Sequence, residues 1–353
     1  MNVVRFPIEE LSADYGDIIL DSVSGNVEAV ISINGSEILH EVYSPDISGM
    51  VYIRDVGSLA MMYNDIDNVS LDNGIDGSCV VLDILLKEGN ETFSSPVTIY
   101  CCDAETGDTL AVSTLKRMPL SRLTSKVTGI GRTEFISFYG DGQIMADVVF
   151  YGDGKDDIKT IDIGNLTTNN GSYHRFDVSP SVIATLCGII ENDIIQYTVY
   201  KSENESISFI VDRRSYLNKN TFVFKNIFGA QEVFTCTGDD ESERKWTRVF
   251  GTVNRSQRQI SRDLLHTTKV NTGLINRETL GLLEDLMNSQ YVYYLEEGVL
   301  RKVSIIEESF KVSSRKDQVI AVEFKYRYSS NNQLQYRTNK KRIFDFTFDG
   351  SFN

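Results

Sequence analysis

Residues 26–56 read NVEAVISINGSEILHEVYSPDISGMVYIRDV. Short runs of β-branched residues alternate with polar ones on either side of Asn34-Gly35, and that dipeptide supplies a hairpin turn. A period of two with one apolar face marks a strand that is buried on one side and wet on the other. GSLAMMY at 57–63 follows as a brief helical or irregular apolar stretch, and two more strands follow at 78–87 and 97–102.

Residues 143–212 repeat this plan. They read QIMADVVFYGDGKDDIKTIDIGNL, then YHRFDVSPSVIATLCG, then strands at 194–200 and 206–211. Laying IRDV at 53–56 over RFDV at 175–178 brings GSLAMM opposite SPSVIATL and carries VTIYCCD onto ISFIVDR, a spacing of about 122 residues. Strands recurring every 8 to 12 residues or so close two packed sheets within roughly 100 residues. The repeat therefore predicts two tandem β-sandwich modules, residues 1–120 and 121–216, with Asp55 and Asp177 as equivalent turn or cap residues rather than ligands.

Residues 217–353 follow another pattern. Strands at 222–228 and QEVFTCTG are succeeded by a polar, charge-rich span from 239 to 269, to which no element is assigned. RETLGLLEDLMNS at 277–289 reads as a helix, with Asn276 as N-cap, an apolar stripe of Leu280, Leu283 and Met287, and Leu282 and Leu286 beside it. VYYL, an EEG turn, LRKVSII and VIAVEFKYRY close the domain; in the last strand Phe324, Tyr326 and Tyr328 face one way and Glu323, Lys325 and Arg327 the other. The expected fold is mainly β: two tandem β-sandwich modules followed by an α+β domain, an antiparallel sheet with one packed helix. At the end of the chain, after Lys340, Lys341 and Arg342, IFDFTFDGSF places Phe344, Phe346 and Phe348 on one face of an extended strand. Such a strand either completes the protein's own sheet or adds to a neighbour's edge.

Composition narrows the function. The chain has 353 residues, 41% of them hydrophobic, which is too apolar for a disordered chain. No stretch approaches the roughly 18 to 20 consecutive apolar residues of a membrane helix, and the first residues lack an export signal, so the expectation is a soluble protein kept inside the cell. The net charge of −15 is uneven: residues 1–120 hold 5 basic and 20 acidic side chains, residues 121–216 hold 9 and 13, and residues 217–353 hold 21 and 17. A sequence-wide basic patch is absent, which argues against sequence-specific nucleic-acid binding. The acidic third reads as a solvated face, or as a surface complementary to a basic partner or repelling DNA.

Motifs for chemistry are missing. Five cysteines, Cys79, Cys101, Cys102, Cys187 and Cys236, lack CxxC spacing and lie mostly in apolar runs, so they read as core thiols. His40, His174 and His266 are far apart in sequence, and no GxSxG, GxGxxG or GxxxxGK[ST] motif occurs. Asp65, Asp67, Asp72 and Asp76 lack the EF-hand spacing, and Asp141, Asp153, Asp156 and Asp157 sit in or near Asp-Gly turn sequences. No enzyme, catalytic residue, metal or cofactor is expected. The single tryptophan, Trp246 in ERKWTR, is the one candidate for an exposed aromatic contact.

The order LLEDLMNSQYVYYLEEGVLRKVSIIEESFKVSSRKDQVIAVEFKYRY, a short helix leading into a strand, a turn, a strand and a long closing strand, resembles tail and baseplate structural proteins of tailed phages and prophages. It is similar, over residues 265–353, to the small β-domains from which distal-tail and hub proteins are built. The resemblance implies one compact sheet here and a multimeric, non-catalytic role. It further implies partners among copies of itself and other assembly proteins, with no membrane, and a place in the virion tail after assembly in the bacterial cytoplasm. The residues expected to touch partners are Phe344, Phe346, Phe348 and Trp246. The alternative is a β-sandwich binding protein that recognises a glycan or a protein.

Overall fold

The computed structural model describes residues 1–13, 15–63, 69–76, 79–102, 112–152, 154–166, 173–202, 205–253, 256–308 and 320–329. The Asn34-Gly35 hairpin is present, with both residues left-handed at φ 50° and 78°, as a two-residue primed turn requires. It joins β4 (Val27–Ile33) to β5 (Ser36–Tyr43) at one end of a five-stranded sheet. Before it come β1 (Asn2–Arg5), β2 (Glu9–Leu11) and β3 (Ile18–Asp21); after it come β6 (Val51–Ile53), α1 (Val56–Tyr63), β7 (Gly74–Asp76), β8 (Cys79–Glu88), β9 (Glu91–Tyr100) and α2 (Val112–Leu115).

Strands β2-β9-β8-β4-β5 form one sheet and β1-β3-β6 another. Alternation decides which faces meet. Val27, Ala29 and Ile31 of β4 and Val80, Leu82, Ile84 and Leu86 of β8 are buried against Ile18 and Leu20 of β3 and Val51 and Ile53 of β6, while Glu28, Asp83 and Lys87 point outward.

The second unit contains β10 (Ser125–Gly129), β11 (Phe135–Tyr139), β12 (Gly142–Gly152), β13 (Lys155–Leu166), β14 (Tyr173–Asp177), α3 (Pro180–Cys187), β15 (Ile194–Ser202) and β16 (Glu205–Asp212). Its five-stranded sheet runs β10-β16-β15-β12-β13 and copies the first unit strand for strand, including a parallel pair at one edge, β2 with β9 and β10 with β16. The paired strands β3 and β6 correspond to β11 and β14, and α1 to α3, the places where IRDV-GSLAMM and RFDV-SPSVIATL were superposed. The small sheets gain their third strand on opposite flanks. In the first unit β1 adds beside β3; in the second, β7 arrives from the first unit and pairs with β14.

The third unit is a seven-stranded antiparallel sheet, with β17 (Asn220–Lys225), β18 (Gln231–Cys236), β19 (Asp240–Val253), β20 (Ser256–Asn271), β21 (Val292–Glu296), β22 (Val299–Glu308) and β23 (Glu323–Tyr328) in the order β18-β17-β21-β22-β23-β20-β19. Helix α4 (Thr279–Asn288) packs on β17 and β18 through Leu280, Leu282, Leu283 and Leu286. Asn276 caps it as expected, its Oδ1 accepting the Thr279 N–H at 2.9 Å. Phe324 and Tyr326 face inward, where Phe222 meets their rings at 5.3 and 5.2 Å. The charge-rich span departs from the expected compact sheet. It forms the two longest strands of the protein among the described residues, β19 and β20.

One apolar cluster runs from Ile144 and Phe209 of the second sandwich to Phe224 and Leu283 of the third unit. A smaller one joins all three units through Leu11, Tyr100, Tyr139, Tyr173 and Phe228.

Candidate functional site

Two arrangements depart from ordinary β packing: a buried polar junction between the units and a ribbon that leaves the sheet. The junction gathers charged side chains of the second and third units and backbone groups of the first. Arg175 of β14, 3% exposed, donates to the Asp72 carbonyl at 2.7 and 3.0 Å and to Gln231 Oε1 at 3.0 Å. Gln231 in turn donates to the Ser70 carbonyl at 2.8 Å and accepts the Ser70 N–H at 3.1 Å. Lys225 donates to the Tyr173 hydroxyl at 2.5 Å, and that hydroxyl donates to the Gly229 carbonyl at 2.8 Å. Lys126 of β10 lies 2.6 Å from Glu134 Oε2 and donates to the Val233 carbonyl at 2.5 Å.

Glu232 accepts from Ser121 Oγ and Asn226 Nδ2, both at 2.8 Å, and burial pushes its carboxyl above the ordinary range. On α4, burial raises the Asp285 carboxyl to about 6, against the pull of Arg122, whose Nη1 lies 3.0 Å away. Each group is committed to a backbone or side-chain neighbour. The junction therefore fixes the units to one another.

The ribbon is different. β20 pairs with β23 only over Thr268, Lys269, Val270 and Asn271. Beyond that point, among the described residues, β19 and β20 pair with each other alone, from Glu243 with Thr267 to Val253 with Ser256, a projection of about 35 Å at the rise of an antiparallel strand. All ten residues from 241 to 250 are exposed. Trp246 is 54% exposed, Val249 50%, Phe250 57% and Leu265 of the partner strand 42%.

Alternation places Arg244, Trp246, Arg248 and Phe250 on one face of β19. Arg248 and Arg262 are register partners. The sequence from 244 to 262 holds six Arg or Lys and no Asp or Glu. That local excess was legible in the sequence, but it vanishes in the sum over residues 217–353, because acidic residues lie on both sides of it.

Of the residues singled out from sequence, Trp246 lies on this ribbon. Phe344, Phe346 and Phe348 lie outside the described residues, as do Asp65, Asp67 and Asp153. Asp177 is a turn residue: its Oδ1 accepts the Ser179 N–H at 2.8 Å at the start of α3. Asp55 stands at φ 60° and its carbonyl accepts the Leu59 N–H in the first turn of α1. Cys101, Cys102, Cys187 and Cys236 are buried in apolar surroundings, and burial pushes the Cys79 thiol up to about 11. Among the described residues no group of three or more His, Cys, Asp or Glu is placed to hold a metal ion. No helix among them is long and apolar enough to cross a membrane.

The protein is thus a tandem pair of β-sandwiches joined to an α+β domain. No protein-family model matches the sequence, and comparison with curated proteins gives no match. Solved structures give distant likenesses. A titin fragment is 12% identical, with 58% of this chain and 94% of the other covered, at a TM-score of 0.23. The four N-terminal Ig domains of Dscam1 are 9% identical, with 75% and 69% covered, at 0.17. An endo-fucoidan hydrolase of glycoside hydrolase family 107 is 9% identical, with 75% and 40% covered, at 0.16. At these scores the likenesses carry no argument about fold or function.

Proposed function

We propose that the chain is a non-catalytic structural component of a multi-copy assembly of the phage tail or baseplate type. The observation that carries this reading is the β19–β20 ribbon. An isolated two-stranded ribbon is marginal in water, yet this one extends well beyond its sheet with aromatic and aliphatic side chains exposed. A surface of that kind belongs in contact with something. The sandwiches suit the same role, being spacers tied together by a buried polar junction. In a tail-like assembly the partners are further copies and neighbouring tail proteins, and the place is the virion.

The exposure of Trp246 also suits the alternative, a sandwich protein that binds a glycan or protein; unchanged ligand binding by Trp246→Ala would count against that alternative. The assembly reading is tested by the native mass of the full-length chain, from sedimentation and negative-stain imaging. A ring or defined multimer is expected, and a chain ending at residue 342 is expected to associate more weakly. A wild-type chain that stays monomeric up to its solubility limit overturns the proposal.

A further inference from the structure

The ribbon is strongly basic, and the first unit is the most acidic part of the chain. The 244–262 segment carries six positive charges and no negative one, whereas residues 1–120 carry a net −15. Every residue of the ribbon from 241 to 250 is exposed. β19 is the outermost strand of the seven-stranded sheet, and β5 is the outermost strand of the five-stranded sheet in the acidic unit. Among the described residues no strand pairs with the outer flank of either, so each presents a row of backbone donors and acceptors.

β5, SEILHEVY, bears Glu37 and Glu41 and no Lys or Arg, with Glu28 of β4 beside it. Its Val42 is 61% exposed. The ten-residue exposed stretch of β19 is long enough to span the eight residues of β5.

We propose that the β19–β20 ribbon is a docking arm whose strand β19 adds to β5 of a second copy of this chain. Backbone pairing supplies the registry. Arg244 and Arg248 share one face of β19 with Trp246 and meet Glu37 while Trp246 covers Val42 on the same face of β5, and Lys245, on the opposite face, meets Glu41. The contact joins two different surfaces, so it propagates head to tail and closes into a ring or continues as a filament, according to the rotation between copies.

Phosphates would also suit the arginines. With the arm's six charges set aside, however, the total of −15 becomes −21, and such a body repels a polyanion. An acidic protein surface is therefore the better-matched occupant. This inference rests on the assembly reading above and names the surfaces through which the copies would meet.

The test uses the full-length chain and two charge-reversed variants, R244E/K245E/R248E on the arm and E37K/E41K on β5. Circular dichroism and melting establish that both fold. Sedimentation at low and high salt measures self-association, and electrophoretic shift of a DNA duplex measures the competing occupant. Each variant alone is expected to associate at least about tenfold more weakly than wild type, since like charges then face each other. An equimolar mixture of the two is expected to regain association, because the reversed arm of one now matches the reversed edge of the other. Wild-type association is expected to weaken with salt.

A third variant, with the strands cut at Glu243 and Thr267 and joined by Asn-Gly, is expected to lose the contact without loss of the sheet. Multimerisation untouched by any of these variants overturns the arm proposal and leaves the assembly reading standing. So does a mixture of folded variants that fails to re-associate, or DNA binding that is lost on arm reversal while self-association persists. A monomeric wild type overturns both.

Discussion

Removing the Lys126 ammonium isolates the energetics of the junction. Lys126 is 6% exposed and Glu134 2%, and the pair stands at 2.6 Å. Apart from the Lys126 ammonium, no hydrogen-bond donor among the described residues reaches Glu134 Oε2. Lys126→Met leaves a buried carboxylate uncompensated and takes the Val233 carbonyl's side-chain donor away. Breaking a buried pair in this way costs about 3 to 5 kcal/mol, whereas replacing both partners by apolar residues of similar volume is neutral or better. Lys126→Met is therefore expected to lose about 4 kcal/mol and Lys126→Met/Glu134→Leu no more than about 1 kcal/mol. Urea unfolding followed by far-UV circular dichroism and by Trp246 fluorescence measures both variants. A shared apolar cluster makes the second and third units expected to unfold together. A single variant within about 1 kcal/mol of wild type, or a double variant no better than the single, refutes the reasoning.

Other expectations concern separate places in the fold. Asp285 has a folded-state value near 6, above its unfolded value, so its contribution is fully present below about pH 4 and is lost as pH rises through about 6. Asp285→Asn should flatten that slope and be at least as stable as wild type at neutral pH; parallel melting profiles across this window would dismiss the assignment. Glu297 occupies a left-handed turn position at φ 51° before Gly298, so Glu297→Asn is expected to stabilise by about 0.5 to 1 kcal/mol in thermal melts. Gly57, in the first turn of α1, packs so closely that an added Cβ would lie 2.2 Å from the Ser12 carbonyl oxygen. Gly57→Ala should cost about 1 to 3 kcal/mol, while Gly25→Ala, with open space around it, should melt like wild type.

Sequence reading succeeded where one face of an element is buried. In β4 and β8 the alternation of Val27, Ala29, Ile31 and of Leu82, Ile84, Leu86 is the core itself, and the hairpin residues Asn34 and Gly35 have the backbone that the turn needs. The repeat was visible because both copies bury the same pattern of faces. β7 was invisible for the opposite reason: three residues, Gly74–Asp76, carry no period, and their partner lies about 100 residues away in β14. The ribbon escaped because a strand pair exposed on both faces has no apolar alternation to display. Its signal was a local run of one charge sign, which totals over a whole domain erase. Lys126, Glu134, Arg175, Lys225 and Glu232 escaped because a buried charge and a solvated one have the same letter.

Those buried charges call for a physical reason, since apolar residues would hold the units together at least as firmly. Directionality supplies one. An apolar face tolerates sliding, but Lys126 must keep both Glu134 and the Val233 carbonyl, and Arg175 must keep both Asp72 and Gln231. Each lysine or arginine thereby ties a strand of one unit to a particular atom of another. Docking of arm to edge, as proposed above, would need that fixed placement more than extra stability. Lys126→Met/Glu134→Leu separates the two demands. It is expected to melt near wild type yet to exchange its amide hydrogens faster along β10 and β18, where registry between the units is set. Exchange equal to wild type would mean that the pair merely fills space, and the argument from placement would fall.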